Sequence, residues 1–455
     1  MRWMLVLVMV GLCLAPAAAR ETARSATCAS MAADRNEPNL PPGFGFAWGE
    51  IPDLEQAIDI CRLALEELPD DAVIMFRLAR ALTQAERYTE AMPLMLRSAE
   101  AGYAPAEAAY GTAALNGRGL QQDNKQAQHW LERAVAQNHP VALNNLATMY
   151  AKGGGLPRND REAMRLYALA AELGYAPAQA NLGMYYVYAI GTEYNPAEAQ
   201  RLLELSAAQD DAFGKTLLAE MLLRAPGVTL DPPRAITLLT QAAIAGQAMA
   251  HRLLGIAYAD GYYVDYDPFA ALVHLERAYA DGDAEAAYRL AFLYGSKEGV
   301  GLDEARAQDY LLKAAEQGFP HALYHAGRNY YYGFWTAPDA EKADYWLGRA
   351  ALMGVPEAQF LYAEMLLQQD RPELVDKALN YAERAGYGGE ARGFILLAEH
   401  YLEREQWERA HGYGSLAMQM GDEEVKNLAR RVFEAVEPHL KQPQQPMAGN
   451  TAGLG

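Results

Sequence analysis

From residue 53 onward, apolar residues recur at three- and four-residue spacings, interrupted by short stretches rich in Gly, Pro, Asp and Asn. This spacing predicts a succession of short amphipathic helices. The first is marked by Leu54, Ala57, Ile58, Cys61 and Leu65, the second by Phe76, Leu78, Ala79, Ala81 and Leu82, the third by Tyr88, Ala91, Leu94, Met95 and Ala99. From Ala106 to Glu357 the pattern becomes strictly periodic. Segments starting at Ala106, Ala142, Ala178, Gly214, Ala250, Ala286 and Ala322 repeat every 36 residues, and a shortened eighth starts at Ala358. A fixed period of this length is the mark of a stacked-repeat architecture.

Each period parses into two antiparallel helices, A and B. Helix A begins near the segment's start, often beside a proline (Pro105, Pro140, Pro177, Pro320, Pro356), where a missing N–H is no loss. Five positions in, a small residue (Gly111, Ala147, Gly183, Ala219, Gly255, Ala291, Gly327) leaves room for a neighbouring helix. A glycine-bearing loop follows. Seventeen positions in, Asp123, Asn159, Asn195, Asp231, Asp267, Asp303 and Asp339 are placed to cap helix B, accepting an orphan N–H of its first turn. Ala127, Ala163, Ala199, Ala235, Ala271, Ala307 and Ala343 recur four residues later. Gly174, Gly246, Gly282, Gly318 and Gly354 then sit where a left-handed helix terminus favours glycine. Two units depart from the pattern: Lys297 replaces a loop glycine, and Ala225-Pro226 interrupts another loop. After Glu357 the units shorten to 33 and 34 residues, and the charged helix from Glu423 to Leu440 has the character of a terminal cap.

The composite pattern is Ala-x-x-x-Leu-Gly-x-x-Tyr, a Gly-rich loop, Asp, then Ala-x-x-Trp/Leu-x-x-x-Ala-Ala-x-x-Gly. It resembles the Sel-one-like repeat family, a 36-residue relative of the tetratricopeptide repeat. Ala250 to Gly282, Ala286 to Gly318 and Ala322 to Gly354 match it best. The expected fold is all-α: a right-handed α-solenoid superhelix of stacked antiparallel helix pairs. The expected organisation is a signal peptide (1–19), an extended leader (20–52), tetratricopeptide-like helices (53–105), seven 36-residue repeats (106–357), shorter tetratricopeptide-like repeats with a capping helix (358–440), and a disordered tail (441–455).

Residues 1–19 have the layout of a secretory signal: Arg2, an apolar run from Met4 to Leu14, and the small-residue site Ala17-Ala18-Ala19, with cleavage expected after Ala19. A lipid anchor on Cys13 competes, but the bulky Leu12 before it disfavours that processing. The expected location is therefore periplasmic or secreted, with no later segment apolar enough to span a membrane. Beyond the cleavage point only Cys28 and Cys61 remain. In an oxidising compartment they are expected to pair, a closure worth about 3–4 kcal/mol in the chain-entropy model, the alternative being two free thiols. A net charge of −19 argues against a nucleic-acid or anionic-membrane surface.

No catalytic or cofactor constellation emerges. His321 and His325 share a helix face as metal ligands can, but nothing nearby completes a set. His400 and His411 flank an acidic stretch that reads as a solvated helix face. The glycine loops follow helices, not strands, and so are turns rather than phosphate cradles. The chain reads as a non-enzyme without cofactor or metal. What remains is surface. Positions two, six and nine of helix A should face the concave side, placing Tyr288, Phe292, Tyr324, Arg328, Tyr331 and Phe360 as a partner-binding patch, since Tyr and Arg dominate interface hot spots. Asn144, Asn145 and Asn181 form a second candidate, as amides that could clamp an extended peptide. The resemblance implies an exported scaffold for another envelope or secreted protein, in assembly of a cell-envelope or exopolysaccharide secretion complex. Alternatives are an immunity protein occupying an effector enzyme, a host-facing virulence factor, or a polysaccharide binder.

Overall fold

A computed structural model describes residues 23–37 and 50–440; the expected signal peptide and the tail from 441 lie outside the described residues. The chain divides into two compact units, Met1–Ala242 and Ala243–Gly455. The first holds α1 (Ala23–Ala32), α2 (Leu54–Glu67), α3 (Ala72–Gln84), α4 (Tyr88–Glu100), α5 (Ala104–Asn116), α6 (Asn124–Val135), α7 (Pro140–Lys152), α8 (Asp160–Glu172), α9 (Ala176–Val187), α10 (Pro196–Ala207) and α11 (Ala212–Arg224). The division falls within α12 (Pro232–Ile244). The second holds α13 (Ala248–Asp260), α14 (Pro268–Ala280), α15 (Ala284–Gly295), α16 (Glu304–Glu316), α17 (Pro320–Tyr332), α18 (Ala340–Leu352), α19 (Pro356–Leu367), α20 (Pro372–Tyr387), α21 (Arg392–Glu403), α22 (Trp407–Met420) and α23 (Glu423–Leu440). Among the described residues there is no β-sheet, and no helix is long and apolar enough to cross a membrane.

The recurrent residues act as their chemistry dictates. Each of the seven periodic Asp or Asn residues accepts a backbone N–H three residues on, from Gln126, Glu162, Glu198, Arg234, Ala270, Arg306 and Lys342 in turn. The backbone N–H of the same cap residue donates to the carbonyl nine residues earlier, from Asp123 to Ala114 through Asp339 to Tyr330, and so closes these seven A–B loops alike. The seven alanines four residues past the caps are fully buried. Leu131, Leu203, Leu239, Leu275, Leu311 and Leu347, four residues further along helix B, are equally buried. Each contributes about 2–3 kcal/mol of apolar burial.

The small residue on helix A has a steric reason: a Cβ on Gly327 would lie 2.6 Å from Leu347 Cγ and 2.8 Å from the Leu347 nitrogen. From α4 to α21 every B-to-A turn passes through positive φ, and where Gly is missing Asn138 (57°) and Asp210 (62°) take its place. These are the two residue types that tolerate the left-handed region best. In the two departing units the A helix ends on extended residues, Ala225 and Ser296, instead of a left-handed glycine.

Helices pair in sequence order, α5 on α6 through α11 in the first unit and α13 on α14 through α23 in the second. Odd-numbered helices from α3 are A helices and even-numbered ones B helices. Successive A helices also approach each other (α5 on α7, α9 on α11, α13 on α15, α17 on α19) more closely than successive B helices do, so within each unit the A faces line the inner side. The stack ends on α23, which buries Val425, Ala429, Val432 and Val436 and presents charge elsewhere.

One expectation is corrected. Within segment 20–52, expected to be extended, Ala23–Ala32 is helical. Ten residues are too few to show a period, and an isolated helix of this length is marginal. Packing stabilises it: Cys28 and Ala32 are buried against α2 and α3, and a disulfide joins Cys28 to Cys61 on α2.

Candidate functional site

The inner face of the second unit carries a continuous aromatic surface. Tyr288 and Phe292, one turn apart on α15, meet edge to face with centroids 4.9 Å apart. His325 of α17 lies 5.7 Å from Tyr288 and 5.1 Å from Phe292, and Tyr324 lies 4.9 Å from His325. Trp335, in the loop after α17, closes on Phe292 at 5.7 Å. The Arg328 guanidinium sits 5.9 Å from the Tyr324 ring and 5.5 Å from Phe334, a cation–π arrangement. All of these except the exposed Phe334 are half-buried: they fill gaps between repeats with one edge and face outward with another.

Two nitrogens in this surface, His325 Nδ1 and Arg328 Nε, have no hydrogen-bond partner. Burial above all, then Arg328 and His321, lowers the His325 pKa to about 4, so its imidazole is neutral at ordinary pH. Burial likewise raises the Tyr288 hydroxyl pKa.

The structure thus brings Tyr288, Phe292, Tyr324 and Arg328 together, with His325 as the connecting ring. Tyr331 lies one turn beyond Arg328; its hydroxyl donates to Gln368 Oε1 at 2.5 Å, at the end of α19. Phe360 packs under Arg392, whose guanidinium is 4.7 Å from the ring. His321 is exposed and stacks toward Phe319. His400 contacts Arg404, and His411 contacts Phe433. Among the described residues no three His, Cys, Asp or Glu side chains converge as metal ligands.

In the first unit the three asparagines form a hydrogen-bonded row across successive A helices. Asn181 Nδ2 of α9 donates to Asn144 Oδ1 of α7 at 2.9 Å, and Asn144 Nδ2 donates to Asn145 Oδ1 at 3.2 Å. Asn145 Nδ2 donates to Thr112 Oγ1 of α5 at 2.8 Å. These amides spend much of their capacity on one another and cross-brace the inner face.

Beside this row lies a feature that sequence reasoning missed. The leader residues Ala32–Glu37 are seated on α3. Arg80 Nη1 donates to the carbonyls of Ala32 (3.0 Å) and Ala33 (2.9 Å), and Arg77 pairs with Glu37 at 2.7 Å. Two arginines within the otherwise apolar run of α3 were the available signal, but their partners are some forty residues away.

A solenoid of stacked antiparallel helix pairs belongs to the class of helical-repeat proteins. The chain is a member of the Sel1 repeat family: the Sel1 repeat matches eight consecutive segments, 104–139, 140–175, 176–211, 213–247, 248–283, 284–319, 320–355 and 356–390. The matches begin at the first residues of the A helices, and the last extends the family into the region expected to be tetratricopeptide-like. Sel1 repeats form scaffolds for protein–protein interaction.

Among solved structures, a protective antigen of uropathogenic Escherichia coli with an SLR fold is 22% identical over 88% of this chain and 99% of its own, with a TM-score of 0.45. A Sel1 repeat protein from Oxalobacter formigenes is 28% identical over 54% of this chain and 96% of its own, with a TM-score of 0.47. An immunity protein from Pseudomonas aeruginosa is 22% identical over 52% of this chain and 91% of its own, with a TM-score of 0.32. No curated protein matches the chain significantly.

Proposed function

We propose that this protein is a non-catalytic exported scaffold that docks a protein of the cell envelope on the inner face of its second unit, as part of a secretion or envelope assembly. The observation that carries this reading is the surface formed by Tyr288, Phe292, Tyr324, His325 and Arg328: half-buried aromatic rings on successive A helices, with two nitrogens still lacking a partner. Rigid aromatic anchors beside an arginine make a compact hot spot. Export is supported by the charged-apolar-small layout of residues 1–19 and by the Cys28–Cys61 bridge, which persists in an oxidising compartment.

The test is a crosslinking pull-down of the mature protein from its own envelope, read by mass spectrometry and repeated with Tyr288, Tyr324 and Arg328 all changed to Ala. The expected result is enrichment of one envelope component that the triple variant loses while its helical circular dichroism is unchanged. Equal recovery by a folded triple variant would assign the patch to packing. Enrichment of a toxin-like enzyme would replace the assembly role with inhibition, and recovery of glycan alone would replace the protein partner.

A further inference from the structure

A cavity of about 650 Å³ opens in the first unit beside the seated leader. Its apolar lining includes Phe76, Met95, Ala108 and Val141, and one wall is the leader itself at Asp34–Asn36. His139, the residue before α7, also lines it. That side chain belongs to a residue only 7% exposed, yet neither of its ring nitrogens has a hydrogen-bond partner. The charged residues on the walls are already engaged. Asp34 faces Arg80 at 3.4 Å and accepts from the Asn36 amide, and Arg35 pairs with Glu50 at 2.9 Å. Asp211 accepts from Ser206 and from the Gly214 amide, and Arg118 donates to the Tyr88 hydroxyl at 3.0 Å.

We propose that this cavity binds a small, uncharged, amphipathic molecule carrying an amide-type group, with His139 as its polar anchor. The volume lies within the range of small-molecule sites, which pair apolar walls with a few placed polar groups. A neutral imidazole offers one donor and one acceptor, so an amide, which has both, satisfies whichever nitrogen it meets. Asp34 and Arg35 are ion-paired, and Asp211 and Arg118, each hydrogen-bonded by neutral groups, are one negative and one positive charge that balance, so a charged ligand meets no net counter-charge to offset its desolvation. The leader wall, held by Arg77, Arg80 and the disulfide on α1, gives the hollow a fixed boundary that suits a compact ligand. The site is independent of the aromatic face of the second unit.

The probe is N-cyclohexylacetamide, with cyclohexylammonium and cyclohexanecarboxylate as charged analogues of similar size. Binding to the full chain is followed by calorimetry and by the ¹⁵N shifts of His139. The neutral amide should bind saturably and move the His139 resonances, while the charged analogues should not. His139→Phe should weaken binding roughly tenfold through loss of the buried hydrogen bond. Val141→Trp, a half-buried position on the wall, should abolish it by filling the hollow. Both variants are checked for unchanged helix content and for retained partner recovery through the second unit. The proposal is overturned if no saturable binding appears at millimolar amide, if a charged analogue binds as well, or if folded Val141→Trp binds as the parent does.

Discussion

Arg77 Nη2 lies 2.7 Å from the carboxylate of Glu37, whose side chain is 1% exposed, forty residues earlier in the chain. With Arg80 beside it, this pair fastens the leader to the inner face of the first repeats. Burial pulls the Arg80 pKa down, while Asp34 and Glu37 oppose that shift; the same two carboxylates hold the guanidinium in place.

Breaking such a pair from one side strands a buried charge, whereas replacing both partners with apolar groups removes the desolvation penalty as well. Glu37→Ala is therefore expected to destabilise the first unit by about 3 kcal/mol, and Glu37→Ala with Arg77→Met by clearly less. Urea unfolding followed by hydrogen exchange in α1 and α3 measures both. Equal losses in the single and double variants would show that removing Arg77 relieves no stranded-charge penalty.

Two glycines within helices should respond to alanine with opposite sign. Helix propensity favours alanine by about 0.5–1 kcal/mol at either site. At Gly327 the new methyl would meet Leu347 Cγ at 2.6 Å and the Leu347 backbone nitrogen at 2.8 Å, and the backbone cannot swing aside. Overpacking of about 1–3 kcal/mol wins there, so Gly327→Ala lowers the stability of the second unit. At Gly412, exposed on α22, nothing lies within 4 Å of the added methyl. Gly412→Ala should stabilise by up to about 1 kcal/mol. Thermal melts of the two variants side by side decide it.

The neutral His325 makes stability depend on pH. Its folded pKa, about 4, lies below the ordinary value of 6.5. Above 6.5 both folded and unfolded chains hold a neutral ring, and the stability associated with this group is intact. As pH falls from 6.5 towards 4 the unfolded chain takes up a proton that the folded one refuses, so stability declines across that window. His325→Phe should flatten the decline of the second unit's urea midpoint between about pH 7.5 and about pH 4.5. An unchanged slope would mean that the ring protonates in place.

Legibility differed between scaffold and site. The aromatic patch is half readable in the sequence: spacing puts Tyr288, Phe292, Tyr324 and Arg328 on one face, but His325 reads there only as a candidate metal ligand, and its role as the connecting ring depends on how α15 meets α17. His139 occupies the residue before helix A, where Tyr103, Tyr175 and Phe319 stand in other repeats. A polar ring in an aromatic slot was a usable signal, but its lack of partners was not visible.

The sequence alone determined the repeat, its caps, its small-residue contacts and the order of its helices. In a solenoid each repeat touches only its neighbours, so the deciding contacts, such as Asp339 with the Lys342 amide or Gly327 with Leu347, lie within one period and recur. The tertiary structure decided where the leader rests, which rings meet on the inner face, and that His139 is buried beside an open cavity. Those outcomes join residues with no fixed spacing, Ala32 with Arg80 or Glu37 with Arg77, and no periodicity encodes a contact that occurs once.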